Sequence, residues 1–295
     1  MRIGGVARYF TELETRADAQ TAAQFARANN LPLIVLGSGS NTLFADGEIN
    51  AVIVRIKERP CAIEGNCVRV GGGNNLAMLI NALATQNLDL SPLTGIPGTV
   101  GGAIFGNAGQ GPNGIWIDHF VKEVVVFVDS GWKTYSYEEC EFGYRESMFK
   151  KLTAHRLSLI APLIWETTLE IPSRPSAEVK AEIERLLKKR IETQPHIKTA
   201  GSCFKAVGQT PAWKLIDAAG LRGLKVGYVE IAEKHANFLL NTGKATFEDA
   251  VTLVKNVKNA VSDELDVEMR FIGNDGSLYF SDCTNIRGEV RRHGG

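Results

Sequence analysis

Apolar residues in the first half of the chain come in short, β-branched runs. Residues 31–37 (LPLIVLG), 51–56 (AVIVRI) and 67–73 (CVRVGGG) have strand length and end at glycine or at a charge, as strands closed by turns do. Between them the period changes. Residues 18–29 and 76–87 read as helices, the second with Leu76, Leu79, Ile80 and Leu83 at helical spacing. VKEVVVFVDSGWKTYSY predicts two strands around a turn at Asp129-Ser130-Gly131, whose glycine can accept positive φ. RLSLIAPLIWETTLEI closes the half as a long strand signal.

The two prolines of PSRPS then end the strand and mark a boundary. The clearest helix follows: Ser176 is expected to cap it, and Val179, Ile183, Leu187 and Ile191 make an apolar stripe. Lys188, Lys189 and Arg190 lie at its favourable C-terminal end. A short helix near 211 has Pro211 at its first position and Gly220 past its end. Another after Thr246 sets Leu253, Val254, Val257 and Val261 on one side. In DVEMRFIG, Val267, Met269 and Phe271 face one way and Glu268 and Arg270 the other. A β-rich first half and a mixed second half define an α+β chain without internal repeats.

Composition narrows the function. Lys plus Arg equals Asp plus Glu at 33 each, so no field of one sign draws the whole molecule to nucleic acid. No apolar run approaches the roughly 20 residues that cross a bilayer, and MRIGGVARYF has no signal-peptide core. No membrane insertion and a cytoplasmic location are expected. The sequence sets no oligomeric state, and a monomer is the default. Five cysteines, at 61, 67, 140, 203 and 283, form no Cys-x-x-Cys pair, and their odd number argues against a disulfide framework. No metal site is expected.

The 30 glycines are clustered. In VLGSGSN (35–41), Gly37 and Gly39 permit tight turns while the amides and the hydroxyls of Ser38 and Ser40 could converge on phosphate; a bare turn is the other reading. The segment is neither a Walker A loop nor a Gly-x-Gly-x-x-Gly fingerprint. PLTGIPGTVGGAIFGNAG (92–109) holds six glycines, a loss of chain entropy that makes sense where backbone lies flat on a ligand. A bulky planar cofactor with a pyrophosphate meets that demand, and a glycine-rich structural loop is the alternative.

Six segments together resemble the FAD-dependent UDP-N-acetylenolpyruvoylglucosamine reductases, and more broadly flavoproteins with the fold of vanillyl-alcohol oxidase. They are GSGSN (37–41), GIPGTVGGAIFGNAG (95–109), YRESMFK (144–150), AGSCFK (200–205), AAGLRGLKVGYVEIAEKHANFLLN (218–241) and VEMRFIG (267–273), in the family's order across nearly the whole chain. The resemblance implies an α+β vanillyl-alcohol-oxidase-type FAD-binding fold over 1–172, in two α+β subdomains. A C-terminal α+β substrate-binding domain over 173–285 and a polar tail at 286–295 would follow. It implies noncovalent FAD held by Gly37, Ser38, Gly39, Ser40 and Asn41, and by Gly95, Ile96, Pro97, Gly98, Thr99, Gly101, Gly102, Ala103, Asn107 and Gly109. The absence of any histidine before residue 119 also argues against histidyl attachment in the early glycine-rich region.

The chain departs from the family in three places. Ala206 and Val207 stand where the family has Asn-Pro, the chain begins inside the N-terminal glycine motif at RIGG, and only 57 positions separate Arg145 from Ser202. The last implies the branch without the tyrosine-bearing loop that closes over substrate.

The implied reaction reduces an enolpyruvyl ether to a lactyl ether, forming UDP-N-acetylmuramate with NADPH as reductant. Hydride reaches C3 and a proton must reach C2, so the site needs positive charge at the carboxylate and a proton donor over C2. Arg145, read alone a surface residue, becomes by resemblance the carboxylate clamp, with a planar fork suited to two oxygens. Ser202 becomes the proton donor; no activating Ser-His-Asp order supports a nucleophile. In an extended segment Cys203 should point away from it, as a core or site-wall residue. Glu268, read alone an ordinary charge pair with Arg270, is assigned to the enolpyruvyl group. Tyr144, His235 and Asn237 are expected to shape the substrate site, although His235 also reads as a structural histidine.

Overall fold

The computed structural model describes residues 1–110, 114–129, 131–154, 159–261 and 265–280. The expected polar tail at 286–295 and Cys283 lie outside the described residues.

Val6–Leu13, Glu48–Ile56 and Leu33–Val35 form a three-stranded parallel sheet with Glu48–Ile56 in the middle. Residues 51–54 of that central strand are buried without alternation, as befits a parallel strand covered on both faces. The helix Arg16–Ala28 makes the crossover. Thr15 and Asp18 close a capping box at its start, and its inner face is Ala19, Ala22, Ala23 and Ala26, small enough for close approach to the sheet.

A five-stranded antiparallel sheet follows, in the order Ala62–Glu64, Cys67–Gly71, Leu163–Glu170, Val121–Val128 and Gly131–Ser136. Leu76, Leu79, Ile80 and Leu83 of the helix Leu76–Ala84 fill its core, as their spacing predicts. In the expected turn at 129–131, Asp129 takes φ +50°.

The rest of the chain builds a four-stranded antiparallel sheet of Thr199–Ser202, Phe238–Asn241, Val229–Ile231 and Lys225–Val226. The helix Phe247–Val261 covers it with Leu253, Val254 and Val257 buried. Arg270–Ile272 then leaves this unit and pairs in parallel with Thr42–Phe44. The halves therefore share a core: Leu43, Ile49 and Ile53 pack in one cluster with Phe204, Ile231, Leu253 and Phe271.

Several expectations need correction. Ser176 does not cap its helix; it is the first residue of Ser176–Thr193, and its amide donates to Asn87 Oδ1 at 2.9 Å. The cap thus comes from a side chain 89 positions away. The apolar stripe is buried only at Val179 and Ile183, which join the core of the five-stranded sheet, whereas Leu187 and Ile191 are exposed. DVEMRFIG alternates as expected, yet only Arg270–Ile272 is strand, because the amides of Glu268 and Met269 both turn to the carbonyl of Cys203. Among the described residues no helix is long and apolar enough to cross a membrane.

Candidate active site

The two glycine-rich segments meet. Ser40 Oγ donates to the carbonyl of Pro97 at 3.1 Å. Gly98 opposes it with φ +123°, and a Cβ there would lie 2.8 Å from Ser40 Oγ, so contact at this spacing requires glycine. Thr99 caps Val100–Phe105 by accepting from the Gly102 amide at 3.2 Å. The amide of Gly101 donates to the carbonyl of Gly72 at 2.8 Å, bringing a third glycine turn into the wall of the same cavity. Of the residues expected at the cofactor, 37–41, 96–99, 101–103 and 109 line this cavity.

Arg145, Ser202 and Glu268 line it too. Ser202 ends the strand Thr199–Ser202, and the amide of Glu268 bonds the carbonyl of the next residue, Cys203, at 2.8 Å. That crossing puts Ser202 and Glu268 on adjacent segments. Among the described residues the Ser202 hydroxyl has no hydrogen-bond partner, and no histidine lines the cavity to activate it as a nucleophile. Cys203 points into the core, where burial raises its thiol pKa.

Arg145 sits in a tight turn closed by reciprocal bonds between Gly143 and Glu146, each 3.1 Å, and takes φ +58°. Its Nη2 donates to the carbonyl of Gly109 at 2.9 Å, and its Nε approaches Glu268 Oε1 at 3.2 Å, an ion pair without hydrogen-bond alignment. Burial pushes the Glu268 carboxyl above its ordinary pKa of 4.5, against the opposing charges of Arg145, Lys150 and Lys205. Glu268 therefore pairs with Arg145 instead of Arg270.

Among the described residues three further cations belong to the wall: Lys150, Arg190 and Arg270. Burial lowers the Arg270 pKa to about 10. Its Nε has no hydrogen-bond partner, and its guanidinium lies 5.2 Å from the Phe105 ring centroid. The two-residue alternation with Glu268 signalled that Arg270 faces the site. Arg190 carried no such signal, because it reaches the cavity only by passing Gly95. Gly95 has φ +78°, and a Cβ on it would lie 2.5 Å from Arg190 Cδ. Burial lowers the Arg190 pKa, and the charge of Arg145 adds to the effect.

Five expected site residues stand outside the cavity wall. Gly95 makes room for Arg190. Asn107 is fully buried, donating from Nδ2 to the carbonyl of Gly143 at 2.9 Å. The hydroxyl of Tyr144 accepts from the Ala206 amide at 3.2 Å. Asn237 spends its amide on Phe204, accepting from its N–H at 2.9 Å and donating to its carbonyl at 2.8 Å. His235 packs edge-on to Phe238 at 4.8 Å and beside Trp213, where burial lowers its pKa.

The wall suits a flavin nucleotide. Three glycine-rich segments line it, Ile96, Phe105 and Ile164 offer apolar surface, and among the described residues of the wall three buried polar atoms lack hydrogen-bond partners: the acceptor Asn41 Oδ1 and the donors Arg145 Nε and Arg270 Nε. An apolar planar body with polar edges and negative charge satisfies all of these.

Residues 7–131 match the FAD binding domain family, so the molecule is a flavoprotein of the vanillyl-alcohol-oxidase-type α+β fold. Residues 193–291 match the UDP-N-acetylenolpyruvoylglucosamine reductase C-terminal domain. The chain is 35% identical over 271 residues to the UDP-N-acetylenolpyruvoylglucosamine reductase of Moorella thermoacetica, covering 91% of this chain and 86% of that one. It is 33% identical over 282 residues to that of Clostridium perfringens, covering 93% and 90%. The crystal structure of the UDP-N-acetylenolpyruvylglucosamine reductase of Thermus caldophilus superimposes with a TM-score of 0.78 at 31% identity, covering 91% of this chain and 93% of that one. The chain belongs to the UDP-N-acetylenolpyruvoylglucosamine reductase family, flavoenzymes of peptidoglycan precursor synthesis.

Proposed function

We propose that the protein reduces UDP-N-acetylenolpyruvoylglucosamine to UDP-N-acetylmuramate at the cavity shared by Arg145, Ser202 and Glu268, with NADPH as reductant. FAD, held noncovalently by the glycine-rich segments, would when bound and reduced by NADPH provide the hydride chemistry required at C3 of the enolpyruvyl group. Both the UDP-sugar and NADPH are cytoplasmic metabolites, which suits a cytoplasmic enzyme.

The protein's own residues handle the charge and the proton. Addition at C3 leaves negative charge spread over C2 and the carboxylate. The Arg145 fork, already in the cavity wall, holds that carboxylate. Ser202, whose hydroxyl is free to point at substrate, donates the proton to C2. Glu268 orients the transfer; burial holds its pKa above the ordinary carboxylate value against the charges of Arg145, Lys150 and Lys205, which eases its approach to the developing enolate. Asn41, Arg270 and the glycine backbone hold FAD. One proton and one hydride add across the double bond, and NADPH becomes NADP⁺.

The observation that carries this reading is the meeting of an unpaired serine hydroxyl, a buried carboxyl and an arginine fork in one glycine-walled cavity. Incubating purified holoenzyme with NADPH and UDP-N-acetylenolpyruvoylglucosamine and identifying the product by mass tests it. UDP-N-acetylmuramate in step with NADPH consumption is expected, whereas NADPH oxidation with the sugar unchanged refutes the substrate assignment.

A further inference from the structure

Beside Arg145 a chain of charges runs from Lys150 in the cavity wall to Glu146 and Lys205, which the reaction as written does not use. Lys150 Nζ donates to the backbone carbonyl of Arg145 at 2.9 Å and to Glu146 Oε1 at 3.1 Å. Lys205 Nζ donates to the same Glu146 oxygen at 2.8 Å. Among the described residues no other group donates to the Arg145 carbonyl, although Arg145 adopts a backbone conformation, φ +58°, that side-chain-bearing residues seldom take.

The direction of the Arg145 Cα–Cβ bond is set by this turn, and the turn is held at two points. Asn107 Nδ2 ties down the Gly143 carbonyl on one side and Lys150 the Arg145 carbonyl on the other. We propose that Lys150 is a positioning residue for the substrate's carboxylate: it locks the left-handed turn that aims the Arg145 guanidinium, and Glu146, anchored by Lys205, holds Lys150 in place. The inference rests on Arg145 being the carboxylate clamp.

Electrostatics fit the arrangement. Burial lowers the Lys150 pKa, the neighbouring Lys205 lowers it further, and Glu146 opposes both. Burial acts to raise the Glu146 pKa, but the Lys205 hydrogen bond and the two ammonium charges outweigh it, so the carboxylate stays ionised. Small displacements of a clamp are costly because the reacting geometry depends on it.

Two ligands separate positioning from general support of the fold. UDP-N-acetylmuramate carries the lactyl carboxylate; UDP-N-acetylglucosamine is the same nucleotide sugar without it. Calorimetric titration of the holoenzyme should show Lys150→Met binding UDP-N-acetylmuramate about tenfold more weakly, the size of one charge-assisted contact, with UDP-N-acetylglucosamine changed by less than about twofold. Loss of affinity for both ligands alike, or for neither, overturns the proposal. If Lys150→Met does not fold, Glu146→Gln serves in its place. It keeps Lys150 but loosens its anchor, and the same selective loss at about threefold is expected, with the same overturning results. Arg145→Met, titrated in parallel, tests the premise: unchanged binding of UDP-N-acetylmuramate removes Arg145 as the clamp. A selective loss there without one in Lys150→Met overturns only the role of Lys150.

Discussion

Ser202 and Glu268 are brought to adjacent segments by the amides of Glu268 and Met269, which both bond the Cys203 carbonyl, yet their surroundings ask different things of them. Among the described residues the serine hydroxyl has no hydrogen-bond partner, whereas the carboxyl lies half-buried beside Arg145. Ser202→Ala should leave reduction of the flavin by NADPH within about twofold while substrate-dependent reoxidation falls by roughly 10²-fold or more, the usual size of a general-acid contribution. Rapid mixing of each half-reaction measures both, and near-normal reoxidation would remove Ser202 from the acid role. His235 offers a stability test. Burial lowers its pKa below the ordinary 6.5, and its Nδ1 accepts from the backbone N–H of Asn237 at 3.3 Å. The neutral ring therefore contributes stability that is complete above pH 6.5 and is lost as pH falls through the lowered folded pKa. Thermal melts should show that His235→Gln, whatever its absolute Tm, loses less stability than wild type between about pH 7 and 5. Equal slopes would mean that His235 titrates alike in the folded and unfolded chains.

At the level of elements, packing and capping come from partners remote in sequence. The start of the helix Val100–Phe105 lies against the end of the strand Cys67–Gly71 through two glycines: a Cβ on Gly101 would stand 2.9 Å from the Gly72 carbonyl. Gly101→Val should therefore cost about 1–3 kcal/mol from overpacking in the FAD-free protein as well as the holoenzyme. Destabilisation confined to the holoenzyme would instead assign this glycine to the ligand. Asn87 serves Ser176–Thr193 as a borrowed cap and itself takes φ +58°, which asparagine tolerates better than alanine. Asn87→Ala should lower stability by about 1–2 kcal/mol in denaturant titrations with no change in flavin content. A smaller loss would mean that water replaces the side chain at no cost.

Across the whole molecule the cavity exists because Arg270–Ile272 crosses from the C-terminal sheet to pair with Thr42–Phe44. That pairing sets Glu268 and Arg270 opposite the loop that carries Asn41, whose carbonyl accepts the Arg270 amide at 3.0 Å. No histidine, cysteine or tyrosine is among the described residues of the wall, so FAD should be recovered quantitatively in the small-molecule fraction after denaturation. Flavin that stays with the chain would show a covalent link.

Local pattern and tertiary assembly divided the work between them. The sequence by itself determined the helical stripe of Leu76, Leu79, Ile80 and Leu83, the glycine-rich cavity segments at 37–39 and 98–102, and the alternation that turns Met269 and Phe271 into the core and Glu268 and Arg270 to the cavity. These are properties of spacing, and spacing is local. Only the tertiary structure decided that Leu187 and Ile191 stay exposed while Arg190 between them is half-buried, since that depends on Gly95 opening a path. It also decided that Asn107 and Asn237 brace backbone carbonyls, because buried carbonyls must find donors wherever the fold leaves them. The pairing of Glu268 with Arg145 instead of Arg270 has the same origin: neighbours on one strand face share a direction, but ion pairs form between whichever charges the assembled fold brings within reach.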